Sequence, residues 1–248
     1  MVLEPLLVGL TNMFDIGGFI RVDSVNYPSL IACTLFTRGC NFRCPYCHNP
    51  AFVVSSDSTS ITQPAPQETY SVEEILSYIE QRRGLLDAVV VSGGEPCLQK
   101  GLKDFLLQVK KMGLKTKLDT NGSLPLVLEN LLESKLVDYV AMDIKTAPEK
   151  YKLIGFDNCK LISQSIGLIM QKAPDYEFRT TCVKPIVEPE DFKKIATWIS
   201  GAKRFYLQSF KNEVTLDPAY ERAISFTDAE LSSLANELKT HIKFIDIR

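Results

Sequence analysis

Several features that would assign this chain to a common functional class are missing from its sequence. There is no basic excess to draw in a phosphate backbone, since 28 Lys and Arg stand against 30 Asp and Glu. No block of like charge suggests a disordered interaction tail. The apolar runs fall far short of the roughly 20 residues a spanning helix needs, so no membrane partner is expected. The N-terminal stretch MVLEPLLVGL is apolar but has no basic flank, and Glu4 and Pro5 interrupt it, so it does not read as a signal peptide. No internal repeat is visible. The seven cysteines are an odd number, with three clustered at 40, 44 and 47 and four scattered at 33, 97, 159 and 182. That is not the framework of a disulfide-stapled secreted domain. These absences leave a cytoplasmic protein with neither nucleic acid nor membrane as its partner.

What is present suits an α/β protein. A length of 248 residues, 45% of them hydrophobic, fits one large domain or two small ones. Short apolar runs alternate with amphipathic stretches. The runs are SLIACTLFT (29–37), LDAVVVSGG (86–94), LKTKLDTNG (114–122), VDYVAMDIK (137–145), YEFRTTCV (176–183) and KRFYLQSF (203–210), and IKFIDIR closes the sequence. The helical patterns lie over 71–83, 101–113, 123–135, 158–172, 188–200 and 227–240. Ser71 with Glu74 three residues on is a capping-box signature. Regular alternation of this kind predicts βαβ units and a parallel sheet. Six units are too few for an eight-fold barrel, so a partial, open (β/α)6 TIM-like barrel is expected, with a flat doubly wound sheet as the alternative. Residues 1–28 read as an N-terminal extension or hairpin and 29–248 as the barrel. The polar, Pro/Ser/Thr-rich segment 54–70 reads as a loop.

The most informative stretch is RGCNFRCPYCHNP, Arg38 to Pro50. Read as C-x-x-C-H it fits covalent haem attachment, and read as C-x-x-C it fits a dithiol or half a zinc site. Read from Cys40 it is C-x3-C-x2-C, three soft thiolates for an iron–sulfur cluster. Haem attachment needs an export signal. A Cys3His zinc site would have to bend the adjacent Cys47 and His48 onto one metal, and a simple dithiol leaves Cys40 unexplained. Cys33 and Cys97 read as small buried core residues, and His48 and Asn49 as residues that order the cysteine loop.

In parallel α/β architectures the functional groups stand at the carboxyl ends of the strands. The first run ends at Cys40, Cys44 and Cys47, and the second at Gly93, Gly94 and Glu95. The third carries Asp119 and Thr120, and the fourth Asp143 and Lys145. The fifth holds Arg179 and Thr181, and the sixth Gln208 and Ser209. Polar groups therefore gather at this edge in every unit, while the strand bodies stay apolar.

Taken together these motifs resemble the radical S-adenosylmethionine (SAM) superfamily. C-x3-C-x2-C with Tyr46 before the last cysteine is similar to its cluster motif, and SGGEP to its GGE motif. LDTNG and MDIK resemble the corresponding strands of the glycyl-radical-enzyme activases. GGFIRVDSVNYPSLIACTLFTRGCNFRCPYCHNP, RRGLLDAVVVSGGEPCLQ and FYLQSFKNEVTLDPAY are most similar to the second, longer type of anaerobic ribonucleoside-triphosphate reductase activating protein. Cys97 departs from the expected residue after GGEP, and Gln208 stands where the pyruvate formate-lyase activases have a histidine-containing strand end. No second cluster motif is inserted.

The resemblance implies one 4Fe–4S cluster per chain, held by Cys40, Cys44 and Cys47 after the first strand, with SAM chelating the fourth iron. It places Tyr46, Gly93, Gly94, Glu95, Lys145, Arg179 and Gln208 around SAM, and a monovalent cation on Asp119, Thr120 and Asp143. The implied activity is transfer of a radical to a glycine of the large anaerobic ribonucleotide reductase subunit, with flavodoxin or ferredoxin as electron donor. A pyruvate formate-lyase partner, or a small-molecule reaction such as 7-carboxy-7-deazaguanine synthesis, are the alternatives.

Overall fold

The computed structural model describes residues 14–53 and 70–248. Most of the N-terminal extension before β1, and the 54–70 loop apart from Tyr70, lie outside the described residues. The chain is α/β and folds as two compact units. Met1–Cys40, Ala51–Thr120 and Leu126–Tyr139 form the first, and Asn41–Pro50, Asn121–Pro125 and Val140–Arg248 the second.

Unit one holds β1 (Ile16–Asp23), β2 (Ala32–Thr37), β3 (Ala88–Gly93) and β4 (Lys115–Thr120) in that order. β1 runs antiparallel to β2, while β2–β3 and β3–β4 are parallel. The reason lies in the sequence. Val89, Val90 and Val91 form a continuous β-branched run, all fully buried, as a strand covered on both faces requires. Burial of each contributes about 1.5–3 kcal/mol. Helix α1 (Val72–Gln81) starts where the capping box predicts. The Glu74 backbone N–H donates to Ser71 Oγ at 3.1 Å and the Ser71 N–H donates to the Glu74 carboxylate at 2.9 Å. Helix α2 (Leu102–Lys111) buries Leu102, Phe105, Leu106 and Val109, one face at helical spacing, and ends in Lys110 and Lys111, which suit the negative end of its dipole. Helix α3 (Pro125–Glu133) follows β4 and begins on a proline, whose fixed φ suits the first turn.

Unit two carries β5 (Tyr139–Asp143, from Val140 on), β6 (Asp175–Cys182), β7 (Phe205–Ser209) and β8 (Ile245–Ile247), again in chain order. β6–β7 and β7–β8 are parallel. Helices α4 (Cys159–Lys172), α5 (Pro189–Trp198) and α6 (Asp228–Leu238) lie between successive strands. The register pairs Arg179 with Tyr206 and Thr181 with Gln208, so the alternate residues of β6 and β7 that end the strands share one face. Among the described residues no helix is long and apolar enough to cross a membrane.

Candidate functional site

In unit one the glycine motif is stitched to the start of the cysteine loop. Gly93 pairs with Thr37 in the parallel ladder. The Gly94 N–H then donates to the Thr37 carbonyl at 2.9 Å and the Glu95 N–H to the Gly39 carbonyl at 2.8 Å. This approach requires glycine. Gly93 has φ +116°, and a Cβ there would lie 2.2 Å from the Thr37 nitrogen; a Cβ on Gly94 would lie 2.2 Å from the Gly39 oxygen. The loop is held on its other side as well, where Gly39 and Cys40 donate to the carbonyls of Phe52 and Val53 at 2.9 and 3.0 Å. Gln99 adds a clamp that local pattern does not announce. Its amide donates to the Arg38 carbonyl at 2.7 Å while its oxygen accepts from the Asp15 N–H at 2.8 Å.

Glu95 is fully buried and does not face solvent. Its Oε1 accepts from the Cys97 N–H at 3.0 Å and from the Thr120 hydroxyl at 2.8 Å. The Cys97 sulfur lies 3.8 Å from that same hydroxyl. Burial, reinforced by the neighbouring Glu95 carboxylate, pushes the Cys97 thiol far up, so it stays protonated. Cys97 and Cys33 are both core residues, as the sequence predicts. Asp119 accepts from the Ser92 hydroxyl at 3.0 Å and is ion-paired with Lys117.

In unit two the remainder of the cysteine loop is tied down by backbone bonds. The Cys47 N–H donates to the Cys44 carbonyl at 3.0 Å, closing a turn, and the Arg43 N–H donates to the Ile154 carbonyl at 2.8 Å. The segment after β7 reaches back over the loop: Leu216 and Asp217 donate to the carbonyls of Cys47 and Pro45 at 3.1 and 2.9 Å. The His48 ring stacks on Phe210 with centroids 4.9 Å apart. Asn41, Asn121 and Ser123 form a side-chain network, with Asn41 donating to Ser123 at 2.8 Å and Asn121 to Asn41 at 3.0 Å. Nothing in the sequence pattern flagged Asn41, because its partners lie about eighty residues away.

Asp143, at the end of β5, accepts from Arg179 Nε at 2.8 Å and from Lys145 Nζ at 2.9 Å. Burial alone would raise its carboxyl, but the two cations outweigh it and hold Asp143 well below the usual carboxylate range. The same pairing holds Lys145 above its ordinary value, against the effect of burial and helped by Cys44 and Cys47. Burial pushes the Cys47 thiol up, partly offset by the Asn49 backbone N–H and by Lys145. Cys44 is buried, while Cys40 and Cys47 are partly exposed. Tyr46 is buried, and its hydroxyl, like His48 Nδ1, has no hydrogen-bond partner among the described residues. Gln208 is half-buried beside Thr181.

The predicted residues thus fall into two sets. Cys40, Gly93, Gly94, Glu95, Asp119 and Thr120 lie in unit one, and Cys44, Tyr46, Cys47, Asp143, Lys145, Arg179 and Gln208 in unit two. Among the described residues no three His, Cys, Asp or Glu side chains form a gathered metal site.

Comparison with known proteins identifies the family. The Radical SAM superfamily model matches residues 34–166. MJ1227 of Methanocaldococcus jannaschii, whose name places it among glycyl-radical enzyme activating enzymes, is 31% identical over 242 residues, covering 94% of this chain and 95% of that protein. The pyruvate formate-lyase-activating enzyme of Staphylococcus epidermidis is 32% identical over 178 residues, 67% of this chain and 68% of that protein. Among solved structures, Streptococcus suis SuiB bound to S-adenosylmethionine shares the fold with a TM-score of 0.57 at 18% identity, over 84% of this chain and 48% of the SuiB chain. The mostly parallel α/β fold is the one this chain shares with SuiB. The chain belongs to the radical SAM superfamily, in its group of glycyl-radical enzyme activating enzymes.

Proposed function

We propose that this radical SAM enzyme generates the glycyl radical of an anaerobic ribonucleoside-triphosphate reductase. The likeness to MJ1227 over 94% of the chain carries the activating-enzyme part of this reading. The stretches GGFIRVDSVNYPSLIACTLFTRGCNFRCPYCHNP and FYLQSFKNEVTLDPAY support the reductase as target. A pyruvate formate-lyase target is the second reading, favoured by the Staphylococcus epidermidis relative.

The family uses a 4Fe–4S cluster and SAM, and the residues present fit both. Cys40, Cys44 and Cys47 offer three soft sulfur donors on a loop whose backbone is already hydrogen-bonded. The buried Tyr46 hydroxyl and His48 Nδ1, on either side of Cys47 in the sequence, have no hydrogen-bond partner among the described residues and so mark polar positions open to a ligand. The chemistry supplied when both groups are bound is one-electron cleavage of the SAM S–C5′ bond, giving methionine and a 5′-deoxyadenosyl radical that takes a hydrogen atom from a glycine Cα.

This chain's own residues bind and orient. Gly93 and Gly94, whose missing Cβ atoms let this turn pack against Thr37 and Gly39, would offer their backbone to the SAM ammonium group. Tyr46, Lys145, Arg179 and Gln208 supply further polar contacts to SAM. Arg179 and Lys145 both pair with Asp143 and favour its ionised form. The apolar strand bodies exclude water from a species that water-borne side reactions would quench.

The test is anaerobic reconstitution with iron and sulfide, followed by dithionite and SAM. Formation of 5′-deoxyadenosine is expected, and it is abolished in Cys44→Ala. Addition of the reductase then yields a glycyl radical signal by electron paramagnetic resonance. SAM cleavage with no such signal from any glycyl radical enzyme of the same genome would defeat the proposal in favour of a small-molecule substrate.

A further inference from the structure

Lys117 lies on β4, two residues before Asp119, so both side chains leave the strand on the same face. Its side chain is 1% exposed, a rare environment for lysine, and its ammonium is paired with Asp119 Oδ1. The ammonium also lies 5.9 Å from the centre of the Tyr139 ring. The second oxygen of Asp119 accepts from Ser92 at 3.0 Å. The neighbouring Thr120 hydroxyl is committed to Glu95 at 2.8 Å. In unit two the other acid of the motif set is in the same condition, with Lys145 on one oxygen of Asp143 and Arg179 on the other.

By resemblance, Asp119, Thr120 and Asp143 are the residues that would hold a monovalent cation. A hard cation is bound by oxygens that carry uncompensated negative charge. Asp119 is ion-paired with one cation, Lys117, and Asp143 with two, Lys145 and Arg179. These donors do not fit a diffusible cation.

We propose that the Lys117 ammonium stands in for the diffusible monovalent cation at Asp119, so that SAM binding by this enzyme needs neither sodium nor potassium. Packing does not explain the lysine. Burying an ammonium costs several kcal/mol, and an apolar residue of similar volume would do as well or better in a purely structural position. A cation fixed beside a motif acid gives the site its charge at any salt composition. This inference rests on the assignment of the chain as a SAM-dependent activating enzyme.

The experiment measures the SAM dissociation constant of the reconstituted holoenzyme by calorimetry, in choline chloride and in potassium chloride at the same ionic strength, alongside 5′-deoxyadenosine formation. The wild-type protein is expected to bind SAM equally, within about twofold, in both salts. Lys117→Met is expected to bind about tenfold more weakly in choline and to recover in potassium. Wild-type affinity that rises about tenfold with potassium overturns the proposal. So does a Lys117→Met protein that binds like wild type in choline, or one whose loss potassium does not restore, the mark of a purely structural lysine. If that variant fails to fold, the wild-type comparison alone decides. Absence of SAM binding and cleavage in both salts defeats the enzyme assignment itself, whereas binding that tracks potassium defeats only the role of Lys117.

Discussion

Thr120 donates its hydroxyl to Glu95 at 2.8 Å, tying the end of β4 to the turn after β3. The same carboxylate oxygen also receives the Cys97 N–H, so Glu95 is a buried acceptor on which two donors depend. Removing it leaves both donors without that partner, and each orphaned buried group costs about 1–3 kcal/mol. Glu95→Ala is therefore expected to lower unfolding stability by about 2–4 kcal/mol and Thr120→Val by about 1 kcal/mol. Urea denaturation of the two variants checks this ordering. Equal losses would show that the Cys97 bond contributes nothing.

Gly94 and Gly167 give opposite predictions for the same substitution. A Cβ on Gly94 would lie 2.2 Å from the Gly39 oxygen and 2.6 Å from the Phe52 oxygen, both backbone atoms that cannot swing aside. Gly94→Ala is expected to cost at least about 2 kcal/mol and to loosen the start of the cysteine loop. Gly167 lies within α4, and a Cβ there would meet nothing within 4 Å. Gly167→Ala is expected to stabilise by about 0.5–1 kcal/mol through helix propensity. Thermal melting of both variants separates steric need from backbone freedom.

Much of this architecture was legible in the sequence, and the parts that were not share a cause. The strand runs, the six helical patterns and the Ser71–Glu74 box depend on residues close together in the chain, and each appears where its period and caps place it. β1 was harder to read: Gly17 and Gly18 interrupt its alternation, so Ile16–Asp23 is legible only as part of an N-terminal hairpin. The sequence did not single out Lys117, whose burial follows from its pairing with Asp119 on the same face of β4. Gln99 and Asn41 act through partners up to about eighty residues away, and no local spacing encodes such contacts. The motif residues themselves were readable because their chemistry requires unusual types, thiols and paired glycines, at fixed spacing.

The pH dependence of stability is expected to carry a mark of Asp23. Its two oxygens accept from the Thr34 hydroxyl at 2.6 Å, the Asn26 amide at 2.6 Å, and the Val25 and Asn26 N–H groups at 2.9 and 3.0 Å. Burial would raise its pKa, but these bonds together outweigh burial and lower it below 3.8. A carboxylate with a depressed folded pKa stabilises fully above its unfolded value and loses that contribution as pH falls through the folded one. The loss therefore begins near pH 3.8 and continues below it. Asp23→Asn is expected to be less stable at neutral pH and to have a shallower acid limb, by at most about 1.4 kcal/mol per pH unit. Parallel limbs for the two proteins would show that Asp23 is protonated in both states or in neither.

Arg248 anchors the β6–β7 face from β8's end of the sheet. Its guanidinium forks onto the two oxygens of Glu177, a side chain only 1% exposed, at 3.0 and 3.1 Å, and lies 3.4 Å over the Tyr206 ring. Tyr206 is the register partner of Arg179, so the fork and the stack fix the row of side chains that includes the Arg179–Asp143 pair. A two-bond guanidinium–carboxylate fork is stronger than a single contact, and lysine cannot reproduce it. Arg248 is itself partly exposed, which screens the interaction. Arg248→Lys is thus expected to cost about 1–2 kcal/mol in urea denaturation, and Arg248→Ala more, through loss of the stack as well. In the double variant Arg248→Ala, Glu177→Gln the two losses are expected to be less than additive, because the second substitution removes a buried charge whose fork is already gone. Strict additivity would show that the fork contributes no coupling energy and that Arg248 acts by packing alone.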